Sequence, residues 1–157
     1  MNQLHPRVTI VWRVTGLLAA AILTALAGLF EVAVLLPQGD ALIYPGFLVG
    51  LVALVSIALA IFWPRLRYRY WRWLVEPDRV LIQKGVLWRS RSLLPRVRIQ
   101  HVDTRSSPLQ RWLGLATLII YTAGTRGADA EIPGLAAEQA EQLREELARL
   151  EELDDRA

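Results

Sequence analysis

The chain contains no cysteine and only two histidines, His5 and His101. The first absence excludes disulfides, thiol nucleophiles and cysteine-ligated metal or iron–sulfur sites. The second leaves no material for a histidine-rich metal centre. Lysine is nearly absent too, Lys84 being the only one. Charge of either sign is scarce before Arg65, where Arg7, Arg13, Glu31 and Asp40 stand alone among 64 residues. What fills that space is apolar. Of the 157 residues 54% are hydrophobic and the mean hydropathy is +0.30. That composition points to membrane insertion rather than to an ordinary soluble domain.

The apolar residues fall into two stretches, about 11–36 and 41–63, and the second carries no charge. Each exceeds the roughly 20 residues that a span requires. Leu36-Pro37-Gln38-Gly39-Asp40 reads as the turn of a tight helical hairpin. Pro45 suits the first turn of the second helix, and Pro64 is expected to stop it. Small residues recur at helical spacing, with Gly16, Ala20, Thr24 and Gly28 in the first span. The second has Gly46 and Gly50, with Ala53 and Ala60 nearby. Such faces let helices approach closely, either within the hairpin or between copies of the chain. Glu31 lies near the end of the first span. It is either an interfacial carboxylate at the outer end of the helix or an intramembrane functional group, and the first reading is preferred.

The net charge of +3 conceals an asymmetry. Residues 65–126 hold 13 basic and three acidic side chains, and 129–157 hold 10 acidic and three basic ones. The basic part begins directly after the second span, as Arg65-Leu66-Arg67-Tyr68-Arg69-Tyr70-Trp71-Arg72-Trp73. Arginines at the exit of a span, together with Arg7 and Arg13 before the first, place both ends of the hairpin in the cytoplasm. A cleavable signal ending at Ala25-Leu26-Ala27 is the rival reading, but the apolar run continues well past it. Arg65, Arg67, Arg69 and Arg72, with Trp63 and Trp71, are therefore expected to rest on the anionic inner leaflet, while some of the aromatics at this junction must instead be core residues of the first strand. The same charge would allow nonspecific contact with nucleic acid, but membrane docking explains it more simply.

Beyond Tyr68 the pattern becomes short and β-like. Strands are expected at 71–75, 79–83, 86–94, 96–104, 115–121 and 129–132. Val102 breaks the alternation of Val97 and Ile99, so a bulge is expected near His101. Pro108 starts a helical turn reaching Trp112, and 122–127 reads as a loop. A final amphipathic helix, about 136–153, carries Ala140, Leu143, Leu147 and Leu150 on one face. Strands followed by one amphipathic helix describe an antiparallel barrel or sandwich closed by that helix. The chain thus divides into residues 1–64, an N-terminal segment with two membrane helices, and residues 65–157, a cytoplasmic domain.

Catalytic chemistry finds little support. His101, Asp103 and Ser106 are close in sequence, but a triad must meet in space, and a strand end with a polar turn accounts for them. Thr122–Gly127 lacks the lysine and hydroxyl of a phosphate loop. No enzymatic activity, metal or cofactor is expected.

Several elements together carry a family resemblance. They are Leu94-Pro95-Arg96-Val97-Arg98-Ile99-Gln100-His101-Val102, Pro108-Leu109-Gln110-Arg111-Trp112-Leu113-Gly114-Leu115, Tyr121-Thr122-Ala123-Gly124 and Ile132-Pro133-Gly134-Leu135. In order and spacing they resemble the bacterial pleckstrin-homology-like (PH-like) membrane family of the YdbS type. Pro6-Arg7 and Trp12-Arg13 are similar to that family as well. The resemblance implies two transmembrane helices and a cytoplasmic PH-like domain, a bent antiparallel sheet capped by a C-terminal helix. It also implies a larger multi-domain PH-like membrane protein as partner; self-association through the small helix faces is the other possibility. It implies no catalytic activity, and a shared fold does not fix a ligand.

Two functions follow as expectations. One is a scaffold or assembly component that binds a membrane partner protein at the inner leaflet. The other is an anionic lipid-headgroup module with Arg96, Arg98, Gln100 and Arg111 in or near its site. No compact pair of lysines favours phosphoinositides. The plain alternative for those four residues is a solvated strand face and, for the helix-turn arginine Arg111, a pairing with Asp103 or a carboxylate of the last helix.

Overall fold

A computed structural model describes residues 1–35, 46–123 and 130–154, the side chains of 34–35 and 149–154 aside. Two compact units emerge. One is Thr9–Arg65; the other joins Met1–Val8 to Leu66–Ala157.

The first unit is helical. Helix α1 (Val8–Phe30) runs into a single π-helical turn at Glu31–Leu35, and helix α2 spans Phe47–Tyr70. Both are long and apolar enough to cross a membrane. Leu18, Ile22, Leu29, Leu54 and Phe62 stand more than half exposed, as suits helices facing hydrocarbon rather than water. Pro64 does not stop α2, contrary to the sequence expectation, and the helix continues to Tyr70. Proline removes one hydrogen bond, to a carbonyl one turn back, and membrane helices tolerate that loss. The interhelical turn at 36–40 and Pro45 lie outside the described residues.

The small face of α1 turns toward α2. A Cβ added at Gly16 would lie 3.2 Å from Ala60 Cβ, and one at Gly28 would lie 3.9 Å from Val49 Cγ2. Ala20 is buried. Pairing within the hairpin therefore accounts for this face. A Cβ at Gly46 or Gly50 would meet nothing within 4 Å among the described residues. Glu31 is buried, and its carboxylate Oε1 accepts the Gly46 N–H just before α2. A carboxylate at a helix N-terminus satisfies an orphan donor and meets the positive end of the helix dipole.

The second unit holds two three-stranded antiparallel sheets. The first is β1 (Arg72–Val75), β2 (Arg79–Lys84) and β3 (Ser90–Pro95), in that order. The second is β4 (Ile99–Arg105), β5 (Leu115–Thr122) and β6 (Ala130–Ala136). A 3₁₀ turn at Arg96–Arg98 links them, so the strand expected from Arg96 begins only at Ile99. Short helix α3 (Pro108–Trp112) joins β4 to β5, and α4 (Ala137–Asp154) follows β6. Ser107 caps α3 through a capping box with Gln110, and Pro108 occupies its first turn.

The expected bulge near His101 is present as a register shift between Ile99 and His101. A second shift appears in the β5–β6 pairing, between Ala116 and Leu118. It lets β6 continue past Pro133-Gly134, where the sequence suggested an end. Gly134 takes φ +64, the conformation that favours glycine at a bulge. The 122–127 loop lies outside the described residues from Gly124 onward.

The core draws Val80 and Ile82 from the first sheet, and Leu115, Leu118, Ile120, Ile132 and Leu135 from the second. Helix α4 packs on β4, β5 and β6 through Ala140, Leu143 and Leu147. The Leu150 side chain lies outside the described residues. The architecture is that of a PH-like sandwich with a C-terminal helix.

Residues 1–8 were expected to go with the membrane segment. They are instead built into this unit. Asn2 forms a β-bridge with Trp73, with N–H donations at 2.6 and 3.1 Å. His5 N–H donates to Gly134 O at 2.9 Å, and the Tyr68 hydroxyl donates to Leu4 O at 3.2 Å. Leu4 and Val8 are buried.

Candidate functional site

Arg65, Arg67 and Arg69 all stand exposed on α2, as does Trp63. Because the helix runs unbroken through Pro64, residues four apart share a face. Trp63 and Arg67 lie along one side, and Arg65 and Arg69 along another. Trp71 does not belong with them. It is 6% exposed, with the Arg67 guanidinium 5.5 Å and the Lys84 ammonium 6.0 Å from its ring centroid. The indole is part of the core and holds two cations against its faces. Arg72 is half-buried and donates to the Trp71 carbonyl at 3.1 Å.

The four residues expected to form a ligand face do not come together. Arg96 is spent internally. Its side chain is 11% exposed and Nη2 donates to Glu146 Oε1 of α4 at 2.9 Å. Its own N–H donates to Asp78 O at 3.0 Å. It thus fastens the inter-sheet turn to the last helix, whereas the plain alternative had Arg96 on a solvated strand face and gave such a pairing to the arginine of the helical turn, Arg111. Arg98 and Gln100 are exposed at the start of β4. Arg111 is exposed on α3, at the far end of the second sheet. The register shows the separation. Arg98 O accepts from Ala123 beside Thr122, whereas Gln110 Nε2 donates to Thr117 Oγ1 at 3.1 Å. Five residues of strand separate those two points, roughly 17 Å.

His101 and Asp103 share a strand face as expected, with Nε2 and Oδ1 2.9 Å apart and both side chains well exposed. Ser106 turns away from them, its Oγ donating to Leu115 O at 3.0 Å. At the β1–β2 turn Arg79 pairs with Glu76. That hydrogen bond first, and the charges of Glu76 and Asp78 after it, raise the Arg79 pKa above its ordinary value.

Two features were not read from the sequence. The first is a cleft of about 300 Å³ between β1 and α4, lined by Asn2, Trp73 and Val75 on one side and by Gln139, Gln142, Leu143 and Glu146 on the other. Strand β1 is the edge of its sheet, and among the described residues Asn2 covers that edge at Trp73 alone. By strand alternation Val75 turns its N–H and C=O to the same side as Trp73, toward this cleft. The second is the β2–β3 connection. Val86–Trp88 are not strand but loop, with Leu87 73% and Trp88 86% exposed. The strand expected from Val86 thus begins only at Ser90.

Comparison with known proteins agrees with this architecture. Residues 14–151 match the model of the family described as Bacterial PH domain. The chain is 34% identical over 158 residues to a protein of Bacillus subtilis (strain 168) named UPF0699 transmembrane protein YdbS, covering 98% of this chain and 94% of that one. No solved structure matches. With a family match across most of its length and a near full-length relative, the chain belongs to the bacterial PH domain family.

Proposed function

We propose that this protein is a non-enzymatic, membrane-anchored PH-like module that binds a membrane partner protein at the inner leaflet. The observation that carries this reading is the cleft at the β1 edge. Unpaired strand edges bind extended segments through main-chain hydrogen bonds. Here the edge already holds one such segment, because Trp73 exchanges both backbone bonds with Asn2. One residue pair further along, Val75 faces the cleft, with Gln139, Gln142 and Glu146 of α4 on the opposite wall. Amide side chains there suit a peptide backbone better than a hydrocarbon chain.

Anchoring rests on the two apolar helices and on the relative named a transmembrane protein. Met1–Val8 and Leu66–Ala157 build one unit, which supports placing the two ends of the hairpin on one side of the membrane. The arginine bias makes that side cytoplasmic. A photo-crosslinker at Gln142, in the full chain in native membranes, tests the reading. A discrete adduct with one membrane polypeptide is expected, and absent when the probe sits at exposed Glu131. Adducts with lipid alone would contradict it and favour the second reading, an anionic-headgroup module. The exposed Arg65, Arg67 and Arg69 beside Trp63 are what speak for that alternative.

A further inference from the structure

We infer that the β2–β3 hairpin tip is a second membrane contact, a wedge that enters the headgroup layer of an anionic bilayer. The apolar part of the wedge is Leu87 and Trp88, adjacent in sequence and both largely exposed. An isolated exposed apolar residue needs no explanation, but a neighbouring leucine and tryptophan at the end of a hairpin form a small apolar point. Tryptophan favours the membrane–water interface, where its ring meets acyl chains and its N–H stays wet.

The conformation of the tip is specified. Gly85 takes φ +112, and a Cβ there would overlap the Trp88 carbonyl. Only glycine lets the chain fold back under residue 88 in this way. The turn therefore holds the two side chains outward by construction.

Charge selects the occupant. Lys84, Arg89 and Arg91 flank the tip and are exposed. No acidic residue occurs from Arg79 to Val102. A cationic collar around an apolar point matches an anionic lipid surface, where each basic group adds attraction.

Position agrees as well. The Arg89 guanidinium lies 5.5 Å from the Tyr70 ring, and Lys84 sits over Trp71. The base of the hairpin is thus tied to the last turn of α2. The inference rests on the reading of α2 as a membrane helix, but not on the partner-binding cleft.

The absence of native cysteine permits a direct test. The full chain carrying Trp88→Cys or Leu87→Cys is labelled with an environment-sensitive fluorophore. It is then reconstituted into vesicles of equal parts phosphatidylcholine and phosphatidylglycerol. Val97→Cys, an exposed apolar site away from the tip, is the reference. The wedge predicts quenching of the tip label by brominated lipid chains and protection from aqueous iodide, with the reverse at the reference site. Changing Lys84, Arg89 or Arg91 to Gln should weaken tip burial about fivefold per charge removed. Chains that co-float with vesicles but carry an iodide-accessible, lipid-unquenched tip label would overturn the wedge alone. Failure to co-float after reconstitution would overturn the anchor and the wedge together. A tip label shielded only after a protein is added would assign the tip to a protein partner and overturn the wedge.

Discussion

Val8 closes on Gly134. The glycine Cα faces the valine so tightly that a Cβ there would overlap both Cβ and Cγ2 of Val8. Val8 is fully buried, and His5 N–H donates to Gly134 O a turn away. At its other end the same N-terminal segment adds Asn2 to the edge of the first sheet. Residues 1–8 therefore touch both sheets of the sandwich before the chain enters α1. The segment that precedes the first apolar helix is part of the domain that follows the second.

Gly134→Ala is expected to destabilise the folded unit by about 2–4 kcal/mol, combining steric overlap with a left-handed backbone that alanine resists. Adding Val8→Ala should not restore stability, because the Val8 Cβ itself is in the way and the backbone strain remains. Thermal melts of the single and double variants check this, and full recovery in the double variant would refute it.

Deleting residues 2–8 should lower stability by roughly 4 kcal/mol or more, since burial of Leu4 and Val8 alone is worth about 2 kcal/mol each. Trp73, now 2% exposed, would lose its Asn2 bridge, and its Nε1 its acceptor, Gln3 O. A red-shifted tryptophan emission together with a lower midpoint in denaturant is the expected signature. A domain beginning at Arg65 with an unchanged midpoint would show that the N-terminal segment is dispensable.

The Arg96–Glu146 pair is unevenly buried, at 11% and 56% side-chain exposure. Arg96→Ala should cost about 1–3 kcal/mol, because it removes a packed stem as well as a charge. Glu146→Ala should cost about 1 kcal/mol or less, since water reaches that end of the pair. Urea titration of the two variants checks the order. Equal costs would mean that the pair acts as an ordinary surface bridge.

Much of this architecture was legible in the sequence because its signals are local. Helical periodicity marked Ala140, Leu143 and Leu147 as the face of α4 that packs on the sheet. The Pro108 start of α3 and the bulge by His101 were likewise readable from a few neighbouring residues. Errors arose where tertiary context overrides local rules. Pro64 looked like a stop because the rule for soluble helices was applied to a helix read as spanning a membrane. Pro133-Gly134 looked like a strand end, but the bulge in β6 and the approach of Val8 turn that glycine into a packing site.

The candidate site was less legible, and for a physical reason. Composition assigns charge to a region but not to a partner. Arg96 read as a surface cation and proves to be a clasp to α4, while Trp71 read as interfacial and proves to be core. The β1–α4 cleft joins residues near 2, 75 and 142, and no sequence window contains all three. Exposure of Trp88 was hidden inside an apolar run that resembled the start of a strand.

Co-purification from native membranes with an edge-blocked variant tests the central claim most directly. Val75→Pro removes the outward N–H of the β1 edge without touching the bonds to β2, a substitution edge strands tolerate. The account predicts that the intact full-length chain, solubilised in detergent, returns one membrane protein in near-stoichiometric amount. It predicts that the Val75→Pro chain, with an unchanged thermal midpoint, returns none. Recovery of the bait alone in both cases, or of the same partner with both chains, would contradict it.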